Sequence, residues 1–278
     1  MTTIHHLDCG TMCPFAGGAF GGALAPERLV AHCLLVERAD GLVLVDTGFG
    51  TEDIERPRER LGSLFLGLTR PRLEREETAL AHVERLGFDR RDVRDIVVTH
   101  LDLDHAGGLS DFPDATVHVY EPEHHAAMDG PTLAERRRYR AVQLSHGPKW
   151  RRYSLEGDTW RGLGAVRALS DDVLLVPTVG HSRGHVAVAV RDGEGYLLHA
   201  GDAYFHHEEM AASPRCPAGL RAFQSLVAFD DRLRVQNQAV LRDIARDHAD
   251  VRVFSAHSEH ELLALRRERA AREAATVA

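Results

Sequence analysis

The chain has 278 residues, enough to bury a substantial core as one large domain or two small ones. Hydrophobic residues make up 44% and charged residues 27%, as in an ordinary globular protein, and the formal net charge of -8 argues against a nucleic-acid partner. No apolar run is long enough to span a bilayer and no basic segment leads into an apolar one near Met1, so neither a membrane span nor a secretory signal is expected. The 18 histidines, with no His-rich tract, point to ligands dispersed along the chain. Cys9, Cys13, Cys33 and Cys216 form no Cys-x-x-Cys pair, which disfavours a thiolate zinc site and fits reduced thiols in a cytoplasmic protein. Lys149 is the single lysine, and the run Arg136-Arg137-Arg138 with Arg140 reads as a solvated helix face.

In chain order, His32 to Val36 and Leu42 to Val45 are expected to be paired strands, joined through the turn Arg38-Ala39-Asp40-Gly41. Asp46-Thr47-Gly48 ends the second. The run Leu61 to Leu68 suits either a lid over a substrate or core. Glu76 to Leu86 has helical spacing at Leu80, Val83 and Leu86. Asp95 to Thr99 is a buried strand, and Thr116 to Tyr120 another, followed by a helix over Glu121 to Met128. The polar stretch from about 129 to 165 reads as a helical insertion within a single domain spanning 1–278. Val173 to Thr178, His185 to Val190 and Gly195 to Ala200 are further strands. A helix over Asp231 to His248, a strand over Val251 to Ser255 and a helix over Glu259 to Ala274 complete the order.

The strand Asp95 to Thr99 runs into His100-Leu101-Asp102-Leu103-Asp104-His105-Ala106-Gly107-Gly108, which packs four metal-binding side chains into a short span. Imidazole and carboxylate are ligands that zinc, iron and manganese accept. In an extended segment His100, Asp102 and Asp104 would share one face, because successive side chains alternate. Three later strand ends each deliver one such residue into a loop: His181 in Gly180-His181-Ser182-Arg183-Gly184-His185, Asp202 in Gly201-Asp202-Ala203, and His257 after Ala256. Singly, each of these residues has a bland reading as a cap or a satisfied core histidine. Together they describe a site for two metals.

The succession of Asp-Thr-Gly, a His-x-x-x-Asp-His core, Gly-His, Gly-Asp-Ala and a late Ala-His resembles the metallo-β-lactamase superfamily over about Val30 to Glu259. The resemblance implies an α/β fold, an αββα sandwich of two mixed β-sheets flanked by helices, with the site at one edge between the sheets. Gly17 to Pro26, Val45-Asp46-Thr47-Gly48 and the loop Gly62 to Arg70 are similar to the quorum-quenching N-acyl homoserine lactonases. Carried over residue by residue, His100 and His181 would bind the first metal and Asp104, His105 and His257 the second, with Asp202 bridging. Asp46 would orient a ligand from behind. His185 is left out, because the first His of its turn takes the ligand's place in the family. Tyr204, two residues after Asp202, would help to hold the substrate carbonyl.

One position departs from the family's His-x-His-x-Asp-His pattern: its second His is Asp102 here. A carboxylate is still a ligand, so Asp102 joins the expected metal set. Counting Asp102, Asp104 and Asp202 against two divalent ions and a hydroxide gives a neutral core, which would raise the pKa of bound water and favour manganese or iron beside zinc. The implied cofactors are two divalent metal ions, zinc foremost. The implied reaction is hydrolysis of a lactone or carboxylic ester by a metal-bound hydroxide, with Asp104 carrying the proton. A thioester, phosphoester or β-lactam hydrolase, and a mononuclear iron enzyme like the persulfide dioxygenases, are the competing expectations. The expected partner is a small lactone or ester, with no nucleic acid and no membrane. The oligomeric state is left open, a homodimer included.

Overall fold

A computed structural model describes residues 3–155, 158–169 and 172–277. Six strands form the first sheet in sequence order: β1 (Thr3–Met12), β2 (Leu29–Arg38), β3 (Gly41–Val45), β4 (Val93–Val97), β5 (Thr116–Tyr120) and β6 (Lys149–Tyr153). β1, β2 and β3 pair antiparallel, and β3 through β6 run parallel. A small hairpin, β7 (Thr159–Trp160) and β8 (Leu163–Gly164), leads to the second sheet. That sheet has the order β13-β12-β11-β10-β9, from β9 (Val166–Arg167), β10 (Val173–Pro177), β11 (Val186–Asp192), β12 (Gly195–His199) and β13 (Val251–Phe254). Among the described residues only β12 and β13 pair parallel in it, so both sheets are mixed.

The helices are α1 (Thr51–Glu55), α2 (Pro57–Arg60), α3 (Ser63–Thr69), α4 (Ala79–Arg85), α5 (Leu103–Ala106), α6 (Glu121–Asp129), α7 (Leu133–Arg138), α8 (Ala218–Val227), α9 (Asp231–Asp247) and α10 (Glu259–Val277). Among the described residues no helix is long and apolar enough to cross a membrane.

The layering follows from strands that are apolar on both faces, the pattern of sheets covered twice. In β2, Ala31, Cys33 and Leu35 pack outward with Ala79 and Val83 of α4, whereas Leu34 and Val36 face inward. In β10, Val173 and Leu175 meet that inner face, and Leu174 and Val176 turn to Leu241 and Ile244 of α9. Alternation along each strand therefore builds three apolar layers, helix on sheet, sheet on sheet and sheet on helix, which is the αββα sandwich.

Two expectations change. The 129–165 stretch is helical only in part: α7 covers its start, but Lys149–Tyr153 joins the first sheet as an edge strand beside β5. Edge strands tolerate charge, and Lys149, Arg151 and Arg152 hid this one. The metal motif does not continue the strand either, since β4 ends at Val97 and Leu103 opens the short helix α5 with Asp102 as its N-cap. The described cysteines are all free.

Candidate metal centre

Every site residue stands just beyond a strand that belongs to the packed sandwich. His100, Asp102, Asp104 and His105 follow β4, His181 follows β10, Asp202 follows β12 and His257 follows β13. Two groups of potential ligand atoms result. Those of His100, His181 and Asp202 lie within 4.8 Å of one another, and so do those of Asp104, His105 and His257. Asp202 sits between the groups: its Oδ1 is 3.1 Å from both His105 Nε2 and His257 Nε2, and its Oδ2 is 3.2 Å from His181 Nε2.

Partners behind three of the four histidines choose which nitrogen faces inward; His181 Nδ1 has none among the described residues. His105 Nδ1 is 2.9 Å from Asp46 Oδ2, and His257 Nδ1 is 2.8 Å from the Val30 carbonyl oxygen. The Thr99 hydroxyl donates to Asp46 Oδ2 and can therefore accept from His100 Nδ1 at 3.0 Å. Each arrangement puts the proton on Nδ1 and the lone pair on Nε2, the pattern of metal-binding imidazoles. His100 Nε2, His105 Nε2 and Asp202 Oδ1 are buried, and despite the 3.1 Å approach of the last two they make no hydrogen bond among the described residues. Buried polar atoms are rarely left so, and two cations would satisfy them. The donor set of imidazole and carboxylate fits divalent metals.

Electrostatics agree with a cluster organised around charge. Burial would push the Asp202 carboxyl up, but His257, His105 and His181 outweigh it and hold it well below the usual carboxylate range. Asp46 is likewise held low against its burial by the hydrogen bond from His105. Asp46 takes a left-handed backbone (φ 57°) and also accepts the Thr99 N–H at 2.7 Å. Thr47 ties the same loop to the motif, its N–H and hydroxyl both donating to the His105 carbonyl.

Two expected residues are placed differently. Tyr204 is fully buried in the layer between the second sheet and α9, its hydroxyl donates to Glu261 Oε1 at 2.9 Å, and it does not line the cavity above the metal groups. It is therefore not positioned to hold a substrate carbonyl. Asp102 lies beside the first group, its Oδ2 3.1 Å from His181 Nε2 and 3.4 Å from His100 Nε2, but its carboxylate is also gripped by Arg138. Arg138, expected on a solvated helix face, instead turns into the site. Including it restores the charge total of the histidine pattern, so the expected extra neutrality of the core does not follow.

Three residues, Glu123, His185 and Arg138, have roles at the site that the sequence did not assign to them. Glu123 is buried in α6. Its Oε1 accepts the Leu101 N–H and the Tyr139 hydroxyl, and its Oε2 accepts the Ser182 hydroxyl and the Gly184 N–H. One carboxylate thus pins the His100 loop to the His181 loop. His185 Nε2 accepts the Asp202 N–H at 2.9 Å and so fixes the residue between the groups. Only the Gly-His-Ser-Arg-Gly-His spacing hinted at His185, and nothing local marked Glu123 or Arg138.

Above the ligands is a cavity of about 410 Å³. Asp102, Asp104, His181, Asp202 and His257 contribute to one wall, and Met12, Leu29, Phe65, Leu103, Phe205 and Phe223 make the rest largely apolar. From the Leu61 to Leu68 run, Leu61 is core, Phe65 lines the cavity, and Leu64 and Leu68 are exposed. A second apolar cavity of about 250 Å³ shares Leu29, Thr69 and Phe223 with the first.

A family model described as the metallo-β-lactamase superfamily matches residues 26–257. A Mycobacterium tuberculosis protein named as a probable metallo-hydrolase is 43% identical over 91% of this chain and 79% of its own length. An N-acyl homoserine lactonase of Bacillus thuringiensis is 24% identical over 90% of this chain and 91% of its own. Among solved structures, an N-acyl homoserine lactone hydrolase with N-hexanoyl-L-homoserine at its metal centre superposes with a TM-score of 0.66 at 21% identity, covering 94% of each chain. A hydrolase of the beta lactamase superfamily, AbOPH, gives 0.59 at 19% identity, covering 94% of this chain and 88% of that one.

Proposed function

The chain belongs to the metallo-β-lactamase superfamily, and from that premise we propose that it is a metal-dependent hydrolase that opens a lactone or cleaves a carboxylic ester. The observation that carries this reading is Asp202, whose carboxylate stands between two buried ligand groups at the wall of an apolar cavity. His100, His181 and Asp202 would hold one divalent cation, with Asp102 beside them. Asp104, His105 and His257 would hold the other, with Asp202 shared. When bound, such a pair supplies Lewis acidity and lowers the pKa of water near neutral pH.

The chain's own residues do the remainder. Met12, Leu29, Phe65, Phe205 and Phe223 exclude water and bind an apolar acyl group, and the adjoining cavity extends that surface. Asp104 lines the cavity and lies 3.7 Å from His257 Nε2, where it can take a proton from the attacking water and return it to the leaving oxygen. Asp46 and His185 keep His105 and Asp202 in place throughout. The relatives named as lactonases support the choice of bond.

The test couples elemental analysis of tag-free protein to a screen of lactones, esters, thioesters, phosphoesters and β-lactams. Two cations per chain, and lactone or ester hydrolysis abolished by Asp202→Ala, are expected. Turnover confined to phosphoesters or β-lactams, or oxygen uptake with a persulfide, would overturn it.

A further inference from the structure

The pair made by Asp102 and Arg138 has no counterpart in the sequence pattern. Arg138 stands at the C-terminal end of α7. Its Nε donates to Asp102 Oδ1 and its Nη2 to Asp102 Oδ2, each at 2.6 Å, a two-pronged clamp that suits the planar guanidinium. Nη1 donates to the carbonyls of His181 at 3.0 Å and Val227 at 2.7 Å, so the far side of the group is fixed as well. Nη2 also lies 2.6 Å from His181 Nε2. The clamp still leaves Asp102 Oδ2 within 3.1 Å of His181 Nε2 and 3.4 Å of His100 Nε2. A neutral imidazole at that position would offer one donor atom and no net charge. Asp102 with Arg138 offers one donor oxygen and no net charge.

We propose that the Asp102–Arg138 ion pair is a two-residue replacement for a neutral imidazole donor at the first metal position, with Asp102 the ligand and Arg138 the positioning residue that aims and neutralises it. This rests on the two-cation reading of the site. The carbonyls of His181 and Val227 hold Arg138 from behind, so it remains anchored when a cation takes the His181 nitrogen. Removing Asp102 alone leaves a guanidinium directed at the first position with nothing to cancel it. Removing Arg138 alone leaves a free carboxylate there. The two losses act in opposite directions on a cation, and because the two side chains are in direct contact their effects are coupled and non-additive.

The experiment titrates metal-free full-length protein with zinc against a chromophoric chelator, for the wild type, D102A, R138M, D102A/R138M and D102H/R138M. Circular dichroism of each metal-free variant reports folding, and D102N replaces D102A if the alanine variant does not fold. The expected result is two zinc ions for the wild type and at least a tenfold weaker first position in D102A. R138M should bind the first ion more tightly, and the affinity of D102A/R138M should differ from the sum of the two single effects. D102H/R138M should return both the stoichiometry and, to within about threefold, the affinity of the wild type. An unchanged first position in D102A, or additive effects across the cycle, would overturn the pair. Its outcome is separate from that of the substrate screen: an Asp102-dependent first zinc supports the pair whichever bond the enzyme cleaves, and one zinc per chain that ignores Asp102 removes it even if esters are hydrolysed.

Discussion

A hydroxyl placed 57 residues before its acceptor in sequence decides what Tyr204 does. It donates to Glu261, inside the layer between the second sheet and its helices. Tyr204→Phe should therefore leave kcat/KM within about twofold and cost about 1 kcal/mol of stability through the lost hydrogen bond, measured by urea denaturation. A fall in kcat with no change in stability would return the residue to the active site. Its acceptor yields a second expectation. Burial pushes the Glu261 carboxyl up from 4.5 to about 7, although Ser255, Tyr204 and Ser258 partly oppose this. A raised acid folds most favourably when protonated in both states, below the unfolded value of 4.5. That contribution is lost as pH rises through the folded value near 7. Glu261→Gln should thus flatten the decline in stability between those pH values, seen as a denaturation midpoint that no longer falls across the window. The site residues were legible as single letters because ligand chemistry uses few residue types at strand ends. Arg138 was not, since its meaning lies in a partner 36 residues away and a backbone contact with Val227. Glu123 was hidden for the same reason, as its four donors come from the 101, 139, 182 and 184 positions.

At the level of elements, the loops that carry ligands are set by backbone as much as by side chains. Gly201 has φ 52°, and a Cβ there would stand 2.6 Å from His185 Nε2 and 3.0 Å from Thr99 Cβ. Gly201→Ala should cost about 1–3 kcal/mol from the left-handed backbone alone, and it should also displace the imidazole that holds Asp202. A lowered denaturant midpoint together with weakened zinc binding is the expected pair of readouts. Normal metal affinity in that variant would show that His185 does not govern Asp202. Buried strands such as β10 and β11 were readable because both faces are apolar. β1 was missed. Its sequence mixes His5, His6 and Asp8 among apolar residues, and they find tertiary partners: Glu37 for His5, His32 for His6, Arg28 for Asp8 Oδ2. Local propensity carries no trace of such partners.

Across the whole molecule, each ligand group draws on both sheets. His100, Asp104 and His105 leave the first, whereas His181, Asp202 and His257 leave the second. Bound cations would therefore clamp the sandwich shut. Chelator treatment should lower Tm in a single cooperative step rather than melt one loop. At a thousandfold excess of ion over its Kd, each site contributes about 4 kcal/mol, so calorimetry with and without metal measures the coupling. Two separate transitions after chelation would show that the ions bind within one sheet's loops only. The sandwich was foreseeable because the order of strands and ligands was, but the sixth strand and the path of α7 depend on edge pairing that polar sequence conceals. The spread of ligands between the two sheets also has a consequence in time. Synthesis at about 5–20 residues per second puts on the order of ten seconds between the appearance of His100 and that of His257. Throughout that interval Asp104 and His105 lack their third companion, and for about the first two thirds of it His100 lacks Asp202. A cation pair that needs both groups would therefore be retained only after residue 257 has been made, and the ions bound would be those available when the two sheets close.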